Sequence, residues 1–154
     1  SESFDHVNCQ GVIHHTPNTE GCVAEIARVT KSGGTACISV YYKNFFIRNW
    51  GILSWIGKIV NMVGGGLKGR GRESIYATTD TNEIVRLFDG AENPIGKAYS
   101  RKEFVTMLEP HFTIEQTFLH FFPARSLPFP LPKILHRLLD RILGFMIYAS
   151  LIKK

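Results

Sequence analysis

The stretch Phe4–Asn44 reads FDHVNCQGVIHHTPNTEGCVAEIARVTKSGGTACISVYYKN and decides the fold of this 154-residue chain. Its hydrophobic pattern predicts a short buried strand around Val7, then a loop, then a helix that runs to Lys31. A glycine pair at residues 33–34 leads into a second strand with apolar residues on both faces. This order is a βαβ unit, which places the loop after its first strand at the carboxyl edge of a parallel sheet. We therefore expect the functional site at that edge.

Local signals define the two ends of the helix in this unit. Asn18 fits the N-cap position, and Glu20 is favourable near the positive end of the helix dipole. Gly33 fits the left-handed C′ position beyond the helix.

The composition limits the class of protein. Apolar residues make up 44% of the chain and the mean hydropathy is -0.01, which is typical of one globular domain with its own core. The formal net charge of +5 is concentrated in residues 68–72 and in the last third of the chain. Such a charge favours anionic surfaces only weakly, and we expect no nucleic-acid partner.

The three cysteines indicate a reducing compartment. Cys9, Cys22 and Cys37 form no CxxC pair, are odd in number and lie in apolar patterns, so we expect buried thiols and a cytoplasmic protein. No signal peptide precedes the first strand, and a first residue other than Met agrees with a truncated sequence.

The run GVIHHTPNTE at residues 11–20, with the strand before it and the helix and glycine pair after it, resembles class I S-adenosylmethionine-dependent methyltransferases. It is similar to the fourth strand, the following helix and the fifth strand of that family. The resemblance implies an α/β fold: a partial Rossmann-like methyltransferase sheet, with parallel strands, a carboxyl-terminal antiparallel hairpin and a helical cap insertion. It also implies S-adenosylmethionine as the cofactor.

The glycine-rich loop and the ribose-binding acidic residue of that family are not found in these residues. We therefore expect the carboxyl-terminal half of such an enzyme, whose 154 residues bind S-adenosylmethionine negligibly when alone. The expected organisation is a βαβ core unit at 1–44, a helical cap or substrate-side insertion at 45–110, and closing strands with an inserted helix at 111–154.

The segment 45–66 is dense in apolar residues and predicts a pair of helices. Arg48 and Lys58 interrupt it, so no run reaches the roughly 18–20 uncharged residues of a membrane span. Two interpretations remain open. The segment is a cap over the active-site edge, or 45–72 makes a peripheral membrane contact in which the basic tail Lys68, Arg70 and Arg72 faces anionic lipid.

The remaining elements follow from simple patterns. A short helix is predicted at 83–87, a turn at Asp89-Gly90, and a helix after 100 with Ser100 and Glu103 in a capping box. Strands are predicted at 112–122 and 145–152. Between them lies a proline-rich connector and a helix with Asp140 on its outer face. Its apolar stripe consists of Ile134, Leu135, Leu138, Leu139, Ile142 and Leu143.

The adjacent pair His14-His15 is the most evident candidate for chemistry. Adjacent side chains point in different directions, and neither HxxxH nor HExxH is present. A zinc site from Cys9, both histidines and a further group would need ligand spacing that the sequence lacks, so we expect no metal. One imidazole at the carboxyl edge still suits general base work.

The resemblance also implies roles for particular positions. His14 is the expected substrate-facing base or orienter. The loop after the first strand contacts the cofactor in this family, through the positions of Cys9, Gln10 and Gly11 here. The expected walls of the substrate pocket are His15, Tyr41 and Tyr42.

These features favour methyl transfer to a small-molecule or lipid-like acceptor. Methyl transfer requires chiefly in-line alignment of the nucleophile, so one base or none suffices. No G-x-S-x-G is present, and the carboxylates are scattered, which excludes the usual hydrolase patterns. The alternative is a non-catalytic methyltransferase-like module that binds a membrane surface or a protein partner.

Overall fold

A computed structural model describes residues 2–66 and 69–154, so Lys68 of the predicted basic tail lies outside the described residues. The strands are β1 (Phe4–Gln10), β2 (Thr30–Tyr42), β3 (Ala98–Tyr99), β4 (Phe112–His120) and β5 (Met146–Lys153). The helices are α1 (Thr19–Val29), α2 (Phe45–Arg48), α3 (Trp50–Met62), α4 (Thr81–Asp89), α5 (Arg101–Leu108) and α6 (Lys133–Leu143). Short 3₁₀ turns lie at Ile13–His15, Arg72–Ala77 and Ala124–Ser126.

The strands form one mixed sheet in the order β1-β2-β5-β4. β1 runs parallel to β2, with Val7 opposite Ala36, and β3 pairs in parallel with the last two residues of β2. β5 is antiparallel to both β2 and β4. The predicted α/β fold, with a parallel unit and a closing antiparallel hairpin that contains an inserted helix, is therefore confirmed.

The βαβ unit forms as predicted, but of the two predicted ends of α1 only the N-terminal one agrees with the structure. The Asn18 side chain accepts a hydrogen bond from the Gly21 amide at 2.8 Å, as an N-cap should. The helix ends at Val29, and the Thr30 hydroxyl donates to the Ile26 carbonyl at 2.7 Å. Gly33 has φ +72° but lies inside the irregular start of β2, so its predicted role as C′ of the helix is wrong.

Two clusters of buried side chains hold the layers together. The first packs α1 and α5 against β2, β4 and β5, and includes Val23, Ile38 and Phe104. The second lies under α2 and α4, and includes Ile47 and Val85. Helix α5, which falls in the predicted segment 45–110, thus contributes to the first core cluster, and the proposed three-part division stays a prediction.

The apolar segment after β2 forms the predicted pair of helices, α2 and α3. No residue of α3 is buried, and Trp55 is 57% exposed. Within residues 2–66 and 69–154, no helix is both long enough and apolar enough to cross a membrane.

The orientation of α6 corrects the sequence analysis. Ile134, Leu138 and Ile142 of its apolar stripe are exposed, whereas Asp140 is only 6% exposed. An Asp140 carboxylate oxygen accepts from the Phe122 amide at 2.6 Å, just beyond β4. The half-buried Phe122 amide takes Asp140 as its acceptor, so the helix turns its carboxylate inward and much of its apolar stripe toward solvent.

Replacing Ser100 with alanine should destabilise the protein by about 1 kcal/mol, because the capping box at the start of α5 is present. The Ser100 side chain accepts from the Glu103 amide, and the Ser100 amide donates to the Glu103 carboxylate, which lowers the pKa of Glu103 to about 2. Ser100→Gly should cost only a few tenths of a kcal/mol, since glycine is tolerated at an N-cap. Urea denaturation measures both; equal stability of the two variants would contradict the assignment.

Candidate active site at the carboxyl edge of the sheet

The loop after β1 is fastened to β2 by hydrogen bonds. The Gly11 amide donates to the Ser39 hydroxyl at 3.0 Å, and its φ of +72° favours glycine. Gln10 is exposed, and its amide lies 3.4 Å from the Cys37 sulfur. Cys9 is half-buried, and burial raises the pKa of its thiol. The three predicted cofactor-binding residues therefore form one short rim at the end of β1.

All three cysteines, Cys9, Cys22 and Cys37, are free thiols that are half-buried rather than fully buried. The cytoplasmic location stays a prediction.

His14 lies beneath this rim. It is 1% exposed, and its ring centroid lies 4.2 Å from that of His15 and 4.4 Å from that of Tyr41. Burial, and then the neighbouring His15, lowers the pKa of His14 to about 3. The ring is therefore neutral at physiological pH, and its Nδ1 atom is buried with no hydrogen-bond partner in the described part of the chain.

Asp89 connects His15 to Tyr41, and sequence reasoning missed it. The Tyr41 hydroxyl donates to one Asp89 carboxylate oxygen at 2.5 Å, and His15 Nε2 lies 3.0 Å from the other. Burial, and then the hydrogen bond to Asp89, raises the pKa of Tyr41. The sequence assigned Asp89 to a turn; its position at the end of α4 gave no sign that α4 would pack against the histidine loop.

The loop after α4 covers the histidines. His15 Nδ1 lies 2.7 Å from the Ile95 carbonyl oxygen and 3.1 Å from the Asn93 side-chain amide. The Lys97 amide donates to the His14 carbonyl at 3.1 Å. The Asn-Pro pattern predicted this loop only as a connection. In the structure, the loop packs against both histidines.

Tyr42 lies apart from the cluster. Successive residues of a strand point to opposite faces, so Tyr41 faces the histidines while Tyr42 packs beside the first core cluster. The Arg48 guanidinium lies 5.9 Å from the Tyr42 ring centroid. The structure thus brings His14, His15 and Tyr41 together but places Tyr42 on the other face of β2.

A separate cavity of about 1190 Å³ opens beside the start of α1 and along α5. Its lining includes Asn18, Lys97, Tyr99 and Glu103, and none of the predicted site residues. The histidine cluster does not open into this cavity; the His15 and Asp89 side chains are 27% and 31% exposed, so the cluster reaches the surface elsewhere.

Comparison with known proteins supports the family resemblance. A family model for a methyltransferase domain matches residues 1–38. A methyltransferase from Thermotoga maritima, described as a possible histamine N-methyltransferase, matches with TM-score 0.56 and 15% identity over 99% of this chain. The chain has a class I S-adenosylmethionine-dependent methyltransferase fold. The resemblance inferred from residues 4–34 is therefore confirmed.

Other solved structures with this methyltransferase fold also match the chain almost throughout. A putative S-adenosylmethionine-dependent methyltransferase from Listeria monocytogenes matches with TM-score 0.55 and 13% identity over 99% of this chain and 62% of its own length. The 1,6-didemethyltoxoflavin-N1-methyltransferase of Burkholderia thailandensis, solved with S-adenosylhomocysteine, matches with TM-score 0.53 and 14% identity over 99% of this chain and 45% of its own.

The chain spans 57% of the Thermotoga protein, so it corresponds to about half the length of these methyltransferases. No curated protein sequence matches the chain.

Proposed function

We propose that this chain takes part in S-adenosylmethionine-dependent methyl transfer to a small-molecule or lipid-like acceptor. The observation that carries the proposal is the position of the His14 cluster next to the Cys9–Gly11 rim, at the carboxyl edge of a methyltransferase sheet. Ligands of open α/β sheets bind at that edge. The Burkholderia neighbour, solved with S-adenosylhomocysteine, supports S-adenosylmethionine as the donor.

Each residue of the edge receives a proposed role. Cys9, Gln10 and Gly11 contact the methionine portion of the donor, and His15 and Tyr41 wall the acceptor pocket. His14 orients the acceptor as a neutral hydrogen-bond acceptor, because a ring with a pKa of about 3 is a weak base at physiological pH. Tyr42 stays a predicted pocket residue on the opposite face of β2.

These roles fit the demands of the reaction. The methyl group moves from a sulfonium sulfur to the acceptor nucleophile, and the sulfonium charge makes a good leaving group. The protein therefore contributes mainly in-line alignment and exclusion of water. A buried, packed ring such as His14 supplies a rigid reference for that alignment.

His14→Leu should lower methyl transfer about 10²-fold while the fold is retained, because positioning by one polar group is typically worth that much. The native gene product is incubated with radiolabelled S-adenosylmethionine and a panel of amines, phenols and fatty acids, and methylated products are counted. His6→Leu is the matched control, since His6 is exposed on β1 away from the cluster. No transfer to any acceptor, or equal rates in both variants, would contradict the proposal.

The alternative function, contact with a membrane surface, is supported by the exposed face of α3. Ile52 is 74% exposed and Ile59 is 49% exposed, next to the Trp55 ring. No Asp or Glu occurs in 45–66, and Lys58 is exposed on the same helix. An exposed apolar helix face with only cationic charge is typical of interfacial helices.

Helix α6 offers a second surface of the same kind. Its exposed apolar stripe is accompanied by exposed Lys133, Arg137 and Arg141, and its one carboxylate, Asp140, is buried. The Gly66 amide donates to the Ser126 carbonyl at 2.7 Å, so the chain after α3 contacts the segment that leads to α6. Both surfaces would favour anionic lipid.

The replacement of Trp55 and Ile59 by serine should weaken co-sedimentation with vesicles of phosphatidylcholine and phosphatidylserine at low salt, because the exposed face of α6 remains. The two side chains are exposed, so the fold should survive the change. Phe4→Ser is the control, because Phe4 is 55% exposed on β1. Wild-type sedimentation no greater than in vesicle-free samples would remove the membrane proposal and leave the methyltransferase proposal intact.

A further inference from the structure

Three side chains of types that bind metals, His14, His15 and Asp89, lie close together at the carboxyl edge. A ring nitrogen of His14, a ring nitrogen of His15 and a carboxylate oxygen of Asp89 all lie within 4.8 Å of one another. The sequence argument against a metal was that neighbouring side chains diverge. In the structure the two rings converge instead, with centroids 4.2 Å apart, and α4 supplies the third ligand.

The contacts of His15 determine what must lie between its ring and Asp89. His15 Nδ1 lies 2.7 Å from the Ile95 carbonyl oxygen, which only accepts hydrogen bonds, and 3.1 Å from the Asn93 side-chain amide, which donates. We assign a proton to Nδ1 because the contact with the carbonyl is the shorter of the two. In the neutral ring, Nε2 then carries a lone pair, which points at a carboxylate oxygen 3.0 Å away. Two acceptors at that distance require a cation between them, either a second proton on the ring or a metal ion.

The surroundings of His14 favour a metal ion over a second proton on His15. Its Nδ1 is fully buried and has no partner among the described residues, in a side chain that is 1% exposed. Buried polar atoms without partners are rare and costly. A proton on His15 would satisfy the contact with Asp89 but would leave that nitrogen unpaired. The backbone of Ser39 hydrogen bonds to the His14 ring, which leaves Nδ1 as the nitrogen with a free lone pair.

We propose that His14, His15 and Asp89 bind one divalent first-row transition metal ion, with zinc as the reference case. Two nitrogens and one carboxylate oxygen with an open fourth position are the ligand set of catalytic zinc sites. Ligands about 2.0–2.1 Å from a tetrahedral ion lie about 3.3 Å from one another, close to the His15–Asp89 separation. The His15–Asp89 pair would therefore hold the ion nearly as it stands, and the group as a whole, whose ligand atoms lie within 4.8 Å of one another, would contract around it.

The groups around the ligands support the same assignment. Metal-binding histidines usually donate their second ring N–H to a carbonyl or carboxylate, as His15 does to Ile95. The Tyr41 hydroxyl donates to the Asp89 oxygen opposite the one near His15, and so orients the carboxylate. The ion would take the His14 Nδ1 lone pair that the proposed function assigns to the methyl acceptor, so the two roles are alternatives at this atom. Metal binding itself does not depend on methyl transfer.

A second cluster with the same residue types provides the matched control. Asp140 has His120 Nδ1 at 3.1 Å and His136 Nε2 at 3.8 Å, but one of its oxygens already accepts from the Phe122 amide. His136 is partly exposed, and its ring faces the Phe122 carbonyl at 3.3 Å. His136→Gln should therefore leave metal binding unchanged.

The test titrates the untagged chain, freed of metal by a chelator, with Zn²⁺ by calorimetry and with Co²⁺ by visible absorption. We expect one ion per chain and the strong d–d absorption of tetrahedral cobalt. His14→Leu and Asp89→Asn should each weaken Zn²⁺ binding at least 100-fold, and Tyr41→Phe should weaken it about 10-fold. Asp89→Asn retains an oxygen for the Tyr41 hydroxyl, so loss of folding is not expected there; circular dichroism checks each variant.

Other outcomes would overturn the metal site. Absence of Zn²⁺ binding, or binding that persists in Asp89→Asn and is lost in His136→Gln, would show that His14, His15 and Asp89 do not hold a metal ion. Because no methyl donor is present in the titration, such a result would leave the proposed methyl transfer to be judged by its own assay.

Discussion

Replacing His14 with leucine should remove a large part of the acid sensitivity of the fold between pH 6.5 and pH 3. The pKa of His14 is lowered from 6.5 to about 3, first by burial and then by His15. Below pH 6.5 the unfolded chain takes up a proton at this position and the folded chain does not. The contribution of neutral His14 to the free energy of unfolding is therefore complete above pH 6.5 and is lost as the pH falls toward 3.

The expected magnitude is large. One pKa unit corresponds to about 1.36 kcal/mol, so the wild type should lose roughly 3–5 kcal/mol of unfolding free energy over this interval through His14. Leucine has a similar size and no titratable group. The free energies of unfolding of the wild type, His14→Leu and the control His6→Leu are measured by urea denaturation at several pH values, in the presence of a chelator. Parallel pH profiles for the wild type and His14→Leu would show that His14 is not buried in its neutral form.

The second large effect is expected from the buried hydrogen bond between Tyr41 and Asp89. Asp89→Ala should destabilise the protein by about 2–3 kcal/mol, because it leaves the Tyr41 hydroxyl buried without an acceptor. Tyr41→Phe should cost about 1 kcal/mol, since Asp89 is half-buried and water can replace the lost donor.

A double-mutant cycle tests this coupling. Once Asp89 is alanine, the hydroxyl has no acceptor, so adding Tyr41→Phe should cost nothing or restore stability. The cycle should therefore give an interaction energy of about 1 kcal/mol or more. Strict additivity of the two single changes would mean that the short contact contributes no specific stabilisation.

The sequence was sufficient to predict the βαβ unit. The strand around Val7, the Asn18 N-cap and the two-sided strand after Gly34 depend on local periodicity and capping, which act over a few residues. The prediction that the strand around Val7 is buried is wrong, because β1 lies at the end of the strand order and all its residues are exposed or half-buried. The capping box at Ser100 was predicted for the same reason. The resemblance to a methyltransferase family supplied the closing hairpin, which local patterns alone do not specify.

The orientation of α6 could not be predicted from its pattern. An apolar stripe normally faces the core, but here the Phe122 amide at the end of β4 takes Asp140 as its acceptor. Which face of a short helix is buried depends on polar groups elsewhere in the fold. A sequence pattern contains no information about where those groups will lie.

The candidate site was predicted in part. Parallel strand ends meet at one edge, so the sequence could associate His14 with Tyr41. It could not find Asp89, because α4 reaches the histidines only through tertiary packing after a long apolar insertion. It also treated Tyr41 and Tyr42 alike, although strand alternation places them on opposite faces.

The position of the methyl donor at the Cys9–Gly11 rim is tested by hydrogen–deuterium exchange of the native gene product, with and without S-adenosylhomocysteine. We expect the ligand to slow amide exchange in the peptide that contains Cys9 to His15, and to leave exchange in α5 unchanged. Protection along α5, with no change in the peptide that contains Gly11 and His14, would place the donor in the neighbouring cavity and contradict the account.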